Sequence, residues 1–296
     1  MNPTQQGTWQ SDGAWIYYEI YGNLNTGLSP IICCNGVGVS RFFWKYIRQH
    51  YSPDHPILLW DYRGHGRSDR QLNHETTDMS IVRHAEDLAG LYQHLMINPR
   101  PAVLIGHSMG CQVIIEFACR YPEYSKALIL LLGTAGKALD TFGGNPNSPL
   151  IFQTIRAAAF SIGPRLNRVF SPLLRSRIAW PFAIRTKLVD PLYTKYEDFR
   201  PYLDHLSGMD VLLFLEAAWQ CQLHDAWDQL SQIKIPLLMI AAENDAFTPL
   251  DCANRLVQAV EQSSLMVLAD GSHAALIEQP ETINHRIDRF FKENNL

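Results

Sequence analysis

No apolar run in this sequence approaches the roughly 18 residues that a membrane span needs. The longest, such as Ala127 to Leu132, suit buried strands. The opening stretch, MNPTQQGTWQSDG, has no basic n-region and no apolar h-region, so no secretory signal is expected and a soluble, cytoplasmic protein is. The six cysteines (Cys33, Cys34, Cys111, Cys119, Cys221 and Cys252) form no CxxC pair and no zinc spacing, and they read as buried or incidental thiols in a reducing compartment. Gly64-His65-Gly66 lacks the Gly-Lys-Ser/Thr ending of a phosphate loop. With no metal or nucleotide motif, no cofactor is expected. An excess of charge is missing too. Lys plus Arg is 25 against 29 Asp plus Glu, a net of −4, which gives no sign of a nucleic-acid partner. Internal repeats and low-complexity tracts are absent.

What is present is enough to build a core: 47% of the 296 residues are hydrophobic and 18% charged. Ala14 to Tyr21 is rich in aromatic and β-branched residues and predicts an early antiparallel strand. Pro30 to Cys34, Pro56 to Trp60 and Ala102 to Ile105 are short, continuously apolar runs, as expected of strands covered on both faces. Lys126 to Leu132, Pro236 to Ala241 and Leu265 to Leu268 extend the series. Helical stretches lie between them, at Phe42 to His50, Ser80 to Leu95 and Met109 to Arg120. Alternating strands and helices with short connections imply an α/β fold with a doubly wound, mostly parallel sheet.

That alternation stops between about Ala138 and Leu215. No strand signal appears there, and apolar residues at helical spacing are broken by Pro149, Pro164, Pro172, Pro181, Pro191 and Pro201. Several short helices inserted between two core strands are expected, with the core at 1–137 and 216–296. Within residues 151–200, nine basic residues face three acids. That is +6 locally, and with a total of −4 it leaves −10 for the rest. Such a face is either simply solvated or attracts an anionic substrate or membrane surface.

The strongest chemical signal is Gly106-His107-Ser108-Met109-Gly110, which follows an apolar strand and opens a helix. A nucleophile in so sharp a turn stands clear of the sheet edge, and residues two before and two after it must be small because strand and helix backbones nearly touch. The helix N-terminus offers N–H groups to a developing oxyanion. A serine hydroxyl needs a base, and the base an orienting acid. His273 and Asp245 both follow apolar strands, on the same sheet edge as Ser108, in the chain order Ser, Asp, His. Glu243 and Asp270 are rivals to Asp245. A second oxyanion donor is expected from Asn35-Gly36-Val37-Gly38, making the Val37 and Met109 N–H groups the pair.

The chain resembles α/β-hydrolase fold proteins of the single-cap esterase, lipase and C–C hydrolase type. The likeness rests on Gly106 to Gly110, on Asp61-Tyr62-Arg63-Gly64-His65-Gly66-Arg67-Ser68-Asp69, on Asn244-Asp245 with Pro249, and on Gly271-Ser272-His273 followed by Glu278-Gln279-Pro280-Glu281. It covers nearly the whole chain. It implies that 61–69 is a structural loop without a catalytic role for His65, and that 138–215 is a helical cap over the active site. Asn35-Gly36 stands where such proteins often carry His-Gly; a similar Asn-Gly-x-Gly loop occurs in some polyhydroxyalkanoate depolymerases. Phe152, Phe160, Phe170, Trp180, Phe182 and Phe214 are aromatics of the cap, with Trp219 just beyond it, and two or three of them are expected to line a pocket. An apolar roof over a polar triad suits a small-molecule ester with an apolar part. A C–C bond hydrolase, a lactonase or a perhydrolase would use the same triad. Dehalogenases and epoxide hydrolases would need an aspartate where Ser108 stands. A ligand-binding protein on a hydrolase fold is the alternative of another class.

Overall fold

In the computed structural model, which describes residues 2–24, 26–70, 72–73, 75–95 and 100–296, eight strands build one sheet. They are β1 (Gln5–Ser11), β2 (Ala14–Tyr21), β3 (Ile31–Cys34), β4 (Ile57–Trp60), β5 (Ala102–His107), β6 (Ser125–Leu131), β7 (Leu237–Ala242) and β8 (Ser263–Leu268). Their spatial order is β1-β2-β4-β3-β5-β6-β7-β8. β1 and β2 pair antiparallel, as do β2 and β4, and every later pairing is parallel. The doubly wound, mostly parallel sheet is therefore present. β1 has no counterpart in the sequence reading. It pairs with β2 across Asp12-Gly13, both at positive φ (41° and 77°), the geometry of a tight hairpin turn.

Helices α1 (Lys45–Tyr51), α2 (Ile81–Leu95) and α3 (Met109–Arg120) alternate with the strands of the first half. Between β6 and β7 come α4 (Ser148–Ile162), α5 (Asn167–Arg175), α6 (Ala179–Arg185), α7 (Tyr196–Ser207) and α8 (Val211–Leu223). Then follow α9 (Leu250–Ala259), α10 (Ala275–Glu278) and α11 (Pro280–Asn294). Helix α8 runs unbroken through Leu215, so the core edge placed there falls inside a helix. Its Leu212, Leu213, Ala217 and Cys221 are all buried, which is why the run resembles core.

The continuous apolarity of the strands has the expected cause. On β3, Ile32 and Cys34 pack into one core with α2 and α3, while Ile31 and Cys33 pack into a second core with α1 and α11. All six cysteines are free. The Asp61–Asp69 segment is a braced loop. Asp61 accepts from the Ser40 hydroxyl at 2.5 Å, the Arg41 guanidinium at 2.6 Å and the Arg67 N–H at 2.9 Å. Arg63, 1% exposed, is forked onto Asp87 of α2 at 2.8 and 2.9 Å, so two buried charges satisfy each other. Among the described residues, no helix is long and apolar enough to cross a membrane.

Candidate active site

The turn between β5 and α3 is built as its sequence demands. Ser108 sits at φ 54° and ψ −117°, a conformation that costs a non-glycine residue about 1–3 kcal/mol. The surrounding backbone holds it there. A side chain on Gly106 would begin 2.4 Å from the Gly110 carbonyl oxygen, and one on Gly110 would begin 2.0 Å from that of Cys34. Strand β3, the turn and α3 thus meet with no room for a Cβ. The Ser108 N–H donates to the Leu131 carbonyl at 3.0 Å, which anchors the turn to β6.

Loops at the ends of β7 and β8 bring in the partners. His273 Nε2 lies 3.0 Å from Ser108 Oγ, and His273 Nδ1 lies 2.9 Å from Asp245 Oδ2. Asp245 and His273 are buried, whereas the rivals Glu243 and Asp270 are exposed. Asp245 Oδ1 accepts the Phe247 and Thr248 N–H groups at 2.8 and 3.0 Å, and Oδ2 also accepts the Thr248 hydroxyl at 2.8 Å. Burial raises the pKa of this carboxyl. The facing His273 and the Thr248 donors outweigh that effect and hold it below the ordinary aspartate value, so it stays ionised. With Nδ1 turned to a carboxylate, neutral His273 carries its proton on Nδ1 and leaves Nε2 free to accept from Ser108. The Phe247 ring stacks on His273, with centroids 4.6 Å apart.

The expected oxyanion donors are also near. The Gly36 loop abuts the serine: an added Cβ there would lie 3.2 Å from Ser108 Cβ. Among the described residues, neither the Val37 nor the Met109 N–H makes a hydrogen bond. Asn35 shapes this loop, donating to the Trp60 carbonyl and accepting from Trp44 Nε1, each at 2.7 Å. Two histidines hold its far side. His65 Nε2 accepts the Gly38 N–H at 3.1 Å, and His205 of α7 donates from Nδ1 to the Gly38 carbonyl at 2.9 Å. His65 therefore braces the loop, in keeping with the structural part expected of its segment.

Three positions were not legible as site residues. His107 donates from Nε2 to the His273 carbonyl at 3.0 Å, and burial beside His273 brings its pKa down to about 3. Thr248 anchors Asp245. Glu278 accepts the Ser272 N–H and hydroxyl, the Thr194 hydroxyl and the Asp190 N–H, tying the loop that carries His273 to the connection between α6 and α7. Its place five residues after His273 was the available signal.

Ser108 opens onto two cavities. The smaller, about 110 Å³, is walled by Val39, Phe43, His107, Phe199, Tyr202 and His273. The larger, about 580 Å³, is walled by Met109, Leu139, Phe142, Ile151, Phe152 and Ile155. Val37, Phe214 and Phe247 border both. Of the seven aromatics singled out in the sequence, Phe152 and Phe214 line a cavity. Phe170 and Phe182 stand exposed, and Trp180 packs on Tyr196 and Phe199.

A family model described as alpha/beta hydrolase fold matches residues 29–280. The chain belongs to the alpha/beta hydrolase fold family. Curated relatives include a protein of Pseudomonas savastanoi pv. phaseolicola named "Putative carbamate hydrolase RutD". It is 26% identical over 265 residues, covering 90% of this chain and 94% of that one. A protein of the same name from Agrobacterium fabrum is 25% identical, with 93% and 97% covered. Among solved structures, the enol-lactonase of Burkholderia xenovorans superposes with a TM-score of 0.77 at 20% identity, covering 97% of this chain and all of that one. A thermophilic esterase from Thermogutta terrifontis superposes with a TM-score of 0.73 at 22% identity, with 99% and 100% covered. Those two likenesses establish the alpha/beta hydrolase fold of the chain and nothing finer. As a member of this family it is a hydrolase, and a small molecule is the substrate to expect.

Proposed function

We propose that the protein is a serine hydrolase that cleaves a carboxylic ester with an apolar part. The observation that carries this reading is the Ser108–His273–Asp245 relay, at 3.0 and 2.9 Å, opening onto a 580 Å³ cavity with apolar walls. His273 Nε2 takes the Ser108 proton as Oγ attacks the carbonyl carbon. The oxyanion that forms is held by the Val37 and Met109 N–H groups, each worth on the order of 10²–10³ in kcat. The tetrahedral species collapses as His273 Nε2–H protonates the leaving alcohol. Water, deprotonated by His273, then cleaves the acyl-enzyme. Asp245 fixes the tautomer of His273 and offsets its transient positive charge.

The two cavities divide the substrate. The leaving group must lie toward His273, which protonates it, and His273 lines only the smaller cavity. That places a small alcohol in the 110 Å³ space and the apolar acyl chain in the 580 Å³ space. Residues 138–215 act in this reading as a cap, since α4, α7 and α8 furnish Phe152, Phe199, Tyr202 and Phe214 to the cavity walls. The relatives named carbamate hydrolases and the neighbour named an enol-lactonase supply the bonds to test beside simple esters. A carbamate or a lactone offers the same kind of carbonyl to Ser108.

The test is hydrolysis of p-nitrophenyl esters from acetate to palmitate, with a lactone and a carbamate alongside and Ser108→Ala in parallel. Ser108-dependent turnover with a chain-length optimum supports the reading. Near-normal turnover by folded Ser108→Ala removes it. If no ester turns over and an organophosphonate leaves Ser108 unlabelled, the protein is a binder and not a serine hydrolase.

A further inference from the structure

The inserted helices carry a surface that hydrolysis does not explain. Of fifteen large apolar side chains exposed among the described residues, eleven lie between Leu150 and Tyr193. They are grouped by helix face. Ile151, Ile155 and Ile162 of α4 follow the i, i+4, i+11 spacing of one stripe. Val169, Phe170 and Leu173 share a face of α5, a helix in which no residue is buried. Ile178 and Phe182 stand one turn apart, 68% and 66% exposed. Exposed patches of this extent mark interaction sites.

The charge beside this surface is of one sign. Between Asp140 and Asp190 the chain holds no acid and seven basic residues. Each apolar stripe is followed within four residues by an arginine: Ile162 by Arg165, Leu173 by Arg177, Phe182 by Arg185. Among the described residues those three arginines form no ion pair. Arg185 lies seven residues after Ile178, on the same helix stripe.

We propose that the face formed by α4, α5 and α6 docks on an anionic lipid bilayer. Apolar side chains of an amphipathic face sink to the boundary of headgroups and acyl chains, and arginines at its rim reach the phosphates. The rest of the chain carries a net of −10, since the +6 of residues 151–200 belongs to a total of −4. An anionic bilayer therefore repels the other faces and attracts this one, which fixes the orientation. A second copy of this chain fits less well, because a twofold contact would press two basic faces together. Ile151 and Ile155 belong both to the exposed stripe and to the wall of the 580 Å³ cavity. Docked in this way, the mouth of that cavity faces the lipid, and an apolar molecule passes from bilayer to Ser108 without crossing water.

The experiment is flotation of the full chain with vesicles of phosphatidylcholine alone and of phosphatidylcholine mixed with phosphatidylglycerol. Binding to the mixed vesicles that weakens on the order of tenfold or more in high salt is expected. Phe170→Ser with Phe182→Ser, away from both cavities, is expected to weaken binding on the order of tenfold while leaving the thermal melt unchanged. Arg165→Glu with Arg177→Glu and Arg185→Glu is expected to abolish the preference for anionic vesicles. Three outcomes overturn the proposal: no flotation of the wild-type chain with either vesicle, equal flotation of wild type and both variants, or a wild-type dimer in solution that the Phe170 and Phe182 substitutions dissociate while vesicle binding stays absent.

Discussion

Replacing Asp245 by asparagine isolates the part of the site that rests on one proton. Asp245 Oδ1 receives two backbone N–H donors, from Phe247 and Thr248, at 2.8 and 3.0 Å. An asparagine must put its oxygen there, because its NH₂ group cannot face two donors without leaving both unpaired, at about 1–3 kcal/mol each. The NH₂ group then points at His273 Nδ1, where Oδ2 now sits 2.9 Å away. To accept from it, the imidazole must move its proton to Nε2, the nitrogen 3.0 Å from Ser108 Oγ. The base is then protonated on the face where it must accept. Size, burial and backbone contacts are all kept, so the melting temperature should move little while kcat falls on the order of 10⁴-fold, equivalent to about 5 kcal/mol of transition-state stabilisation. The assay is kcat and KM on the best ester of the series, with nitrogen-15 NMR reading the His273 tautomer. A loss in kcat smaller than about tenfold, with the proton shown to sit on Nε2, would refute the reasoning.

Other perturbations probe the scaffold. Gly110→Ala places a methyl 2.0 Å from the Cys34 carbonyl oxygen, so it should cost about 3 kcal/mol or more in denaturant unfolding; Gly143→Ala, with open space around it but a φ of 62°, should cost only the backbone strain of about 1–2 kcal/mol, and equal costs would contradict the packing argument. Stability should fall on acidification. His107 and His205 are held by burial and by neighbouring His273 and His65 down to about 3 and about 4, and His84 well below its ordinary value. These folded pKa values are depressed, so the unfolded chain binds more protons, and the stability present above about pH 6.5 is lost as pH falls toward 3; His107 alone accounts for on the order of 4 kcal/mol. A urea midpoint that stays flat from pH 7 to about pH 4 would rule this out. Phe214→Ala, at the border of both cavities, should shift the acyl-length optimum to longer chains with kcat changed by less than about tenfold, and an unchanged optimum would count against the division of substrate between them.

The parts of the site that could be read in advance are those where chemistry constrains sequence locally. Gly106 and Gly110 are dictated by backbone atoms closer than a Cβ allows, and a serine between such glycines after an apolar strand has few other uses. Asp245 and His273 are legible as candidates because parallel strands deliver their following loops to one edge of the sheet. What could not be read depends on distant pairing. The brace on Gly38 joins His65 to His205, residues 140 apart in sequence, and neither position carries a local mark of the contact. Strand β1 is hard to read for a different reason. Its residues Gln5–Ser11 are largely polar because it is an edge strand with one exposed face, and the Asp12-Gly13 turn is its local mark.

The inserted helices reverse the usual logic by which sequence predicts burial. Apolar residues recur at helical spacing in α4, α5 and α6 as they do in α2, yet α2 buries its apolar face while Val169, Ile178 and Phe182 stay between 65% and 68% exposed. Periodicity gives the existence of an apolar face, not its partner. In the core that partner is the sheet. Over the cavities α7 and α8 supply Phe199, Tyr202 and Phe214 to the walls around Ser108. The inserted helices therefore present apolar side chains in two directions, α7 and α8 toward Ser108 and α5 and α6 outward. An insertion that needed only to wall the cavities would require the first alone. The second face gives the insertion a further task, and the absence of acids between Asp140 and Asp190 gives it a direction, because a face kept free of negative charge suits an anionic surface better than bulk solvent.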